Sequence, residues 1–130
     1  MGRRITSMDV AWLRREIFAD GQVTREQAEE LFEVERADVA TGREWTSLFV
    51  ELVTDHLLWQ ARPTGIVNDS KAEWLLARAD SCKSANALAA LGNVLAEAHR
   101  APAWLGSAVR KRLNEGWRGV DAARLSTLAG

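Results

Sequence analysis

Phe18-Ala19-Asp20-Gly21-Gln22-Val23-Thr24-Arg25-Glu26-Gln27-Ala28-Glu29-Glu30-Leu31-Phe32 reads as the end of one helix, a glycine turn, an inward valine and the start of a second helix. Asp20-Gly21 is a turn signal, and Gly21 is expected at positive φ, a region that costs glycine little. Thr24-x-x-Gln27 fits a capping box, in which hydroxyl and amide satisfy two orphaned backbone donors reciprocally. A weaker echo, Thr64-Gly65-Ile66-Val67-Asn68-Asp69-Ser70-Lys71-Ala72-Glu73-Trp74-Leu75-Leu76, occurs at an offset of 44 residues. Gly21/Gly65, Val23/Val67, Ala28/Ala72, Glu29/Glu73 and Leu31/Leu75 coincide at that offset, and Asn68 aligns with the capping Thr24. The chain is therefore expected to contain two diverged helix-turn-helix units.

Outward from these turns, apolar spacing places the helices. Ser7 is expected to cap a first helix with Val10, Leu13 and Ile17 inward and Trp12 and Phe18 widening the face. A second helix turns Ala28, Leu31 and Phe32 inward and ends by Ala40-Thr41-Gly42. A third, over 43–59, carries Trp45, Leu48, Phe49, Leu52, Val53, His56 and Leu57 at i, i+3, i+4, i+7, i+8, i+11 and i+12, a wide stripe that marks the hub of the core. A fourth buries Ala72, Leu75, Leu76 and Ala79. Ser84 caps a fifth that buries Leu88, Leu91, Leu95 and Ala98. Pro102 opens a sixth with Trp104, Leu105, Ala108, Val109 and Leu113 on its apolar side. Val120 to Leu128 suggests a short seventh helix. The expected fold is all-α: one domain over 1–130 with six or seven helices, in which 8–37 and 43–80 are the two units and 84–128 is a helical extension.

Composition agrees with this class. Of 130 residues, 47% are hydrophobic and 27% charged, enough for one core in an ordinary globular chain. Seventeen basic side chains balance 18 acidic ones, giving a net charge of −1. That balance argues against a nucleic-acid surface. The single cysteine, Cys82, excludes an internal disulfide and fits a reducing compartment. No signal peptide is seen, and no stretch approaches the roughly 20 apolar residues of a membrane span. A cytoplasmic location is the expectation.

The Asp-Gly-x-Val turn, the capping threonine and the acidic helix resemble the helix-turn-helix repeat of TerB-like (tellurite-resistance B type) bacterial proteins, and also a degenerate EF-hand. The likeness covers about residues 8–80. It implies an all-helical fold and, as in some members of that family, metal association through acidic residues and a role in stress responses. On that resemblance Asp20 matches the turn aspartate, and Glu26 and Glu30 match the acidic helix start. The second unit departs from the pattern, with Thr64 at the turn and Lys71 in the helix.

An EF-hand loop needs oxygen ligands at positions 1, 3 and 5, glycine at 6 and a glutamate at 12. With Gly21 at position 6 these slots hold Glu16, Phe18, Asp20 and Gln27. With Gly65 there they hold Gln60, Arg62, Thr64 and Lys71. Both are poor calcium sites, one for want of ligands and the other for two cations. Glu26, Glu30 and Glu33 share a flank at i, i+4, i+7, and a solvated face with Arg25 pairing to Glu29 accounts for them without a metal. His56 lies on the apolar stripe as a partly buried histidine, His99 near a helix end. No H-x-x-x-H or C-x-x-C spacing exists. Cys82, read as a loop residue, lacks a sequence-adjacent partner for nucleophilic work. Arg110, Lys111, Arg112 and Arg118 read as a solvated helix end. Glycine-rich phosphate loops and serine elbows are absent, so no cofactor and no catalytic residue are assigned.

Six tryptophans are the most informative side chains left. Trp45, Trp12 and Trp104 fit inward positions. Trp59 and Trp117 fall at helix ends or breaks, and Trp74 lies one step off the Leu75/Leu76 stripe. These last three either close the ends of a small core or anchor a partner. The favoured function is a non-enzymatic interaction or regulatory module that binds another protein through a helical groove or tryptophan-bearing face, with self-association open. The alternative is an acidic, metal-associated stress protein of the TerB-like kind.

Overall fold

Side-chain caps mark where the helices after Thr6, Thr24, Asn68 and Ser84 begin. The computed structural model describes residues 6–18, 20, 22–40 and 42–117. Its helices are α1 (Ser7–Trp12), α2 (Arg25–Ala37), α3 (Arg43–Thr54), α4 (Asp69–Cys82), α5 (Ala85–Glu97) and α6 (Ala103–Leu113). Thr24 N–H donates to Gln27 Oε1 at 2.9 Å and Gln27 N–H to Thr24 Oγ1 at 3.1 Å, the reciprocal box read from the sequence. Asn68 accepts from Lys71 N–H at 2.9 Å, and Ser84 from Ala87 N–H at 3.2 Å. The first cap differs from expectation. It is Thr6 and not Ser7, because Asp9 stands three residues beyond Thr6 and returns a bond to its N–H at 2.9 Å.

α1 and α3 both end in a π-helical stretch, Leu13–Ile17 and Asp55–Gln60, immediately before the two turns. A π turn widens the ladder by one residue and rotates the chain beyond it. In α3 this buries Leu57 and Leu58 together and swings Trp59 outward to 42% exposure. The fold is all-α. Outside the helices, Ile66 and Arg100 form an isolated parallel bridge.

The repeat persists in packing: Val23 and Val67, Ala28 and Ala72, and Leu31 and Leu75 are all buried. α3 lies against α1, α2 and α5, so its stripe is covered from several sides. Trp45, Leu48, Phe49, Leu52 and Val53 are buried, and His56 is half-buried beside them. Phe49 meets Phe32 of α2 edge-on at 5.1 Å. The same junction hides a carboxylate that the apolar pattern does not mark. Glu35 accepts from Trp45 Nε1 at 2.8 Å and Asn86 Nδ2 at 3.1 Å, tying α2 to α3 and α5.

Several side chains lie elsewhere than the spacing suggests. Trp12 is 48% exposed and Trp104 42% exposed, because Val10 and Leu105, each one or two positions away, take the inward places. Cys82 is not in a loop: α4 runs through it, its thiol is buried, and Sγ donates to Phe32 O at 3.3 Å. α2 stops at Ala37 with Asp38 left-handed, ahead of Gly42, which precedes α3. Gly21, Arg118 and the expected helix over 120–128 lie outside the described residues.

Phe49 is fully buried, whereas Phe18 is only partly covered. Phe49→Ala is expected to cost about 3–5 kcal/mol of a total of about 5–15 kcal/mol, and Phe18→Ala clearly less. Urea unfolding measures both. An equal or larger loss at Phe18 would place the hub in the wrong helix.

Candidate functional site

The 61–68 connection carries more backbone carbonyls than a short loop can satisfy by itself. Lys71, in the first turn of α4, reaches back into it. Its Nζ donates to Ala61 O at 2.9 Å, Pro63 O at 2.6 Å and Ile66 O at 2.8 Å, using all three ammonium hydrogens. The side chain is buried, and burial pushes its pKa below the ordinary lysine value. An ammonium thus occupies the centre of the turn whose EF-hand-like slots are hostile to calcium. The first turn is held differently. Val23 N–H donates to Gln60 Oε1 at 2.6 Å, and His56 Nδ1 lies 2.9 Å from Val23 O. A carbonyl only accepts, so the imidazole proton in that bond sits on Nδ1.

With the loop fixed, its edge pairs with the segment before α6. His99 N–H donates to Gly65 O at 2.7 Å and Val67 N–H to Arg100 O at 2.8 Å. Gly65 has φ +76°, and a Cβ there would stand 3.3 Å from His99 Nδ1 and 3.4 Å from the Trp59 ring. The positive φ calls for glycine, and a Cβ would in addition press on the His99 ring. Trp59 meets His99 edge-on at 5.7 Å, and at the other end of the pairing Trp104 Nε1 donates to Asp69 Oδ1 at 3.0 Å. Two large rings, each 42% exposed, therefore flank one hydrogen-bonded pair of segments.

The π-helical end of α3 divides two concavities of opposite charge. Asp55 lines a groove of about 440 Å³ with Glu51, Glu97, Thr54 and Asn93. His56 lines a smaller pocket of about 180 Å³ with Arg25, Arg62, Ser70, Lys71 and Trp74. Burial, with Glu51 and Glu97 close by, raises the Asp55 pKa above the usual aspartate value. Thr54, buried at the floor of the groove, accepts from Asn93 Nδ2 at 2.8 Å.

The other candidates separate. Glu26, Glu30 and Glu33 are exposed, and Asp20 Oδ1 accepts from Gln22 N–H at 2.9 Å within its own turn. Among the described residues no group of three or more histidine, cysteine or carboxylate side chains is placed to hold a metal ion. Glu29 instead takes the Trp74 indole N–H at 3.1 Å and lies 3.6 Å from Arg25, the i, i+4 pair expected. That indole bond is the main cause lowering the Glu29 pKa. Trp74 is half-buried, while Trp117 is 4% exposed and packs on the core. Arg112, expected to be solvated, turns in to a two-point bond with Asp80 at 2.7 Å each. Sequence reasoning misses the role of Trp104 because its neighbour Leu105 carries the helical period. It misses Lys71 as a loop anchor because no local pattern announces three distant carbonyls.

Comparison with known proteins finds no matching family model, no matching curated protein and no matching solved structure. Among the described residues no helix is long and apolar enough to cross a membrane.

The raised Asp55 pKa gives a sign to the pH dependence. A carboxyl that holds its proton more tightly when folded contributes stability below its unfolded pKa and loses it as pH rises through the folded one. Asp55→Asn is therefore expected to be more stable than wild type at pH 7, with the gap closing once the pH falls below the ordinary aspartate value. Urea midpoints of both proteins across that range provide the check, and a gap independent of pH would contradict it.

Proposed function

We propose that the chain is a non-enzymatic interaction or regulatory module, acting in the cytoplasm, that binds another protein through the edge bearing Trp59 and Trp104. The observation that carries this reading is the pair of rings left 42% exposed while each is held from behind, one by His99 and the other by Asp69. Fixed aromatic surface loses little side-chain freedom on association, and tryptophan is enriched among residues that dominate interface energy. The reactive side chains support the same reading. The Cys82 thiol is buried against Phe32 O, and His56 Nδ1 is committed to Val23 O.

Kinship with TerB-like proteins, and the metal-associated role it implies, is the second proposal. Its support is the Asp20 turn with Glu26 and Glu30 exposed on the adjoining helix. Calorimetric titration with Ca²⁺, Mg²⁺ and Zn²⁺ separates the two readings.

For the first, a pull-down from the source organism is compared between wild type and the Trp59→Ala/Trp104→Ala double variant. A discrete partner is expected on wild type, with affinity lowered by at least about 2 kcal/mol in the variant. Melting temperatures check that the fold is kept. Equal retention by both proteins would refute the edge as the interface.

A further inference from the structure

The smaller pocket beside His56 is more selective in its chemistry than the composition of the chain predicts. Among the described residues its wall includes Arg25, His56, Arg62 and Lys71 and no carboxylate, although acidic side chains outnumber basic ones in the sequence, 18 to 17. We propose that this pocket binds one tetrahedral oxyanion of phosphate size, free or as a monoester.

Charge is the first ground. Lys71 is held by three carbonyls and by no carboxylate, so its positive charge is solvated but not cancelled. Among the described residues no acidic side chain pairs with Arg62. Glu29, 3.6 Å from Arg25, competes for that guanidinium, and it is shared with the Trp74 indole at 3.1 Å.

Direction is the second. Arg25 comes from α2, Arg62 from the loop and Ser70 from α4, so donors approach from three separate segments. A planar carboxylate is satisfied by one guanidinium fork, whereas a tetrahedral anion uses donors arriving from several sides. The Arg25 guanidinium lies 5.7 Å from the Trp74 ring centroid, which places it at the pocket wall.

Size is the third. A volume of about 180 Å³ admits a phosphate and a few waters but not a nucleotide. The proposal stands apart from the tryptophan edge, and either can fail without the other.

Isothermal titration at pH 7 and matched ionic strength, with inorganic phosphate, glycerol 3-phosphate and acetate, is the test. Saturable binding of phosphate or its monoester, with acetate at least tenfold weaker, is expected; the tighter of the two phosphates tells free from esterified ligand. Arg62→Gln should weaken the binding at least tenfold and Lys111→Gln, on exposed α6, should leave it unchanged. Arg25→Gln serves as a second pocket variant should Arg62→Gln fail to fold. Amide signals of Ser70 and the Trp74 indole N–H are expected to shift on titration. The proposal is overturned if neither phosphate binds saturably, if acetate binds as well, or if the pocket variants bind like wild type.

Discussion

An ammonium group inside a ring of three backbone carbonyls organises the second half of this molecule. Lys71 Nζ holds Ala61 O, Pro63 O and Ile66 O, and no other described side chain reaches all three. Hydrogen bonds to a charged donor contribute about 1.5–3 kcal/mol each, more than neutral ones. Burial opposes the charge, and the carbonyls offset that cost. The chain beyond the loop depends on this grip. The fixed loop presents Gly65 and Val67 to His99 and Arg100, and that pairing sets where α6 begins. The first turn reaches the same end with neutral groups, since Gln60 and His56 grip the backbone of Val23. Two turns that share a pattern in sequence are thus secured by different chemistry.

This difference bears on function. A tethered cation cannot leave, so the second turn has no exchangeable position of the kind an ion-sensing loop needs. What the arrangement leaves exposed instead is a pair of large rings. The paired segments hold Trp59 and Trp104 at their two ends. The adjacent residues Asp55 and His56, at the end of α3, face an acidic groove and a basic pocket respectively. The balanced net charge therefore conceals two local fields of opposite sign.

Much of the fold is legible in the sequence where the causes are local. Thr24 with Gln27, Asn68 and Ser84 are caps because each serves a backbone donor within three residues. The α3 stripe is visible because its period matches the helix that forms. Features set by distant partners are not visible. Glu35 looks like one more surface glutamate until Trp45 and Asn86 close over it. The π-helical ends of α1 and α3 shift register without a sequence marker, which is why Leu58 is inside and Trp59 outside. Trp117, at a glycine-flanked break, reads equally as a cover for the core or as a partner anchor, and it packs on the core. The exposure of Trp59 is legible from its position at a helix end, while that of Trp104 and the place of the loop-facing lysine emerge only in three dimensions.

The most direct test of this account is the stability of Lys71→Met, a change that keeps most of the length of the side chain and removes its charge. Urea unfolding should show a loss of at least about 3 kcal/mol, because three carbonyls lose their donor together. Lys111→Met on exposed α6 should stay within about 0.5 kcal/mol of wild type. Amide exchange at His99 and Val67 should quicken in Lys71→Met as their pairing loosens. A Lys71→Met protein as stable as wild type, with those amides still protected, would show that the loop holds itself and that the ammonium is not its organising group.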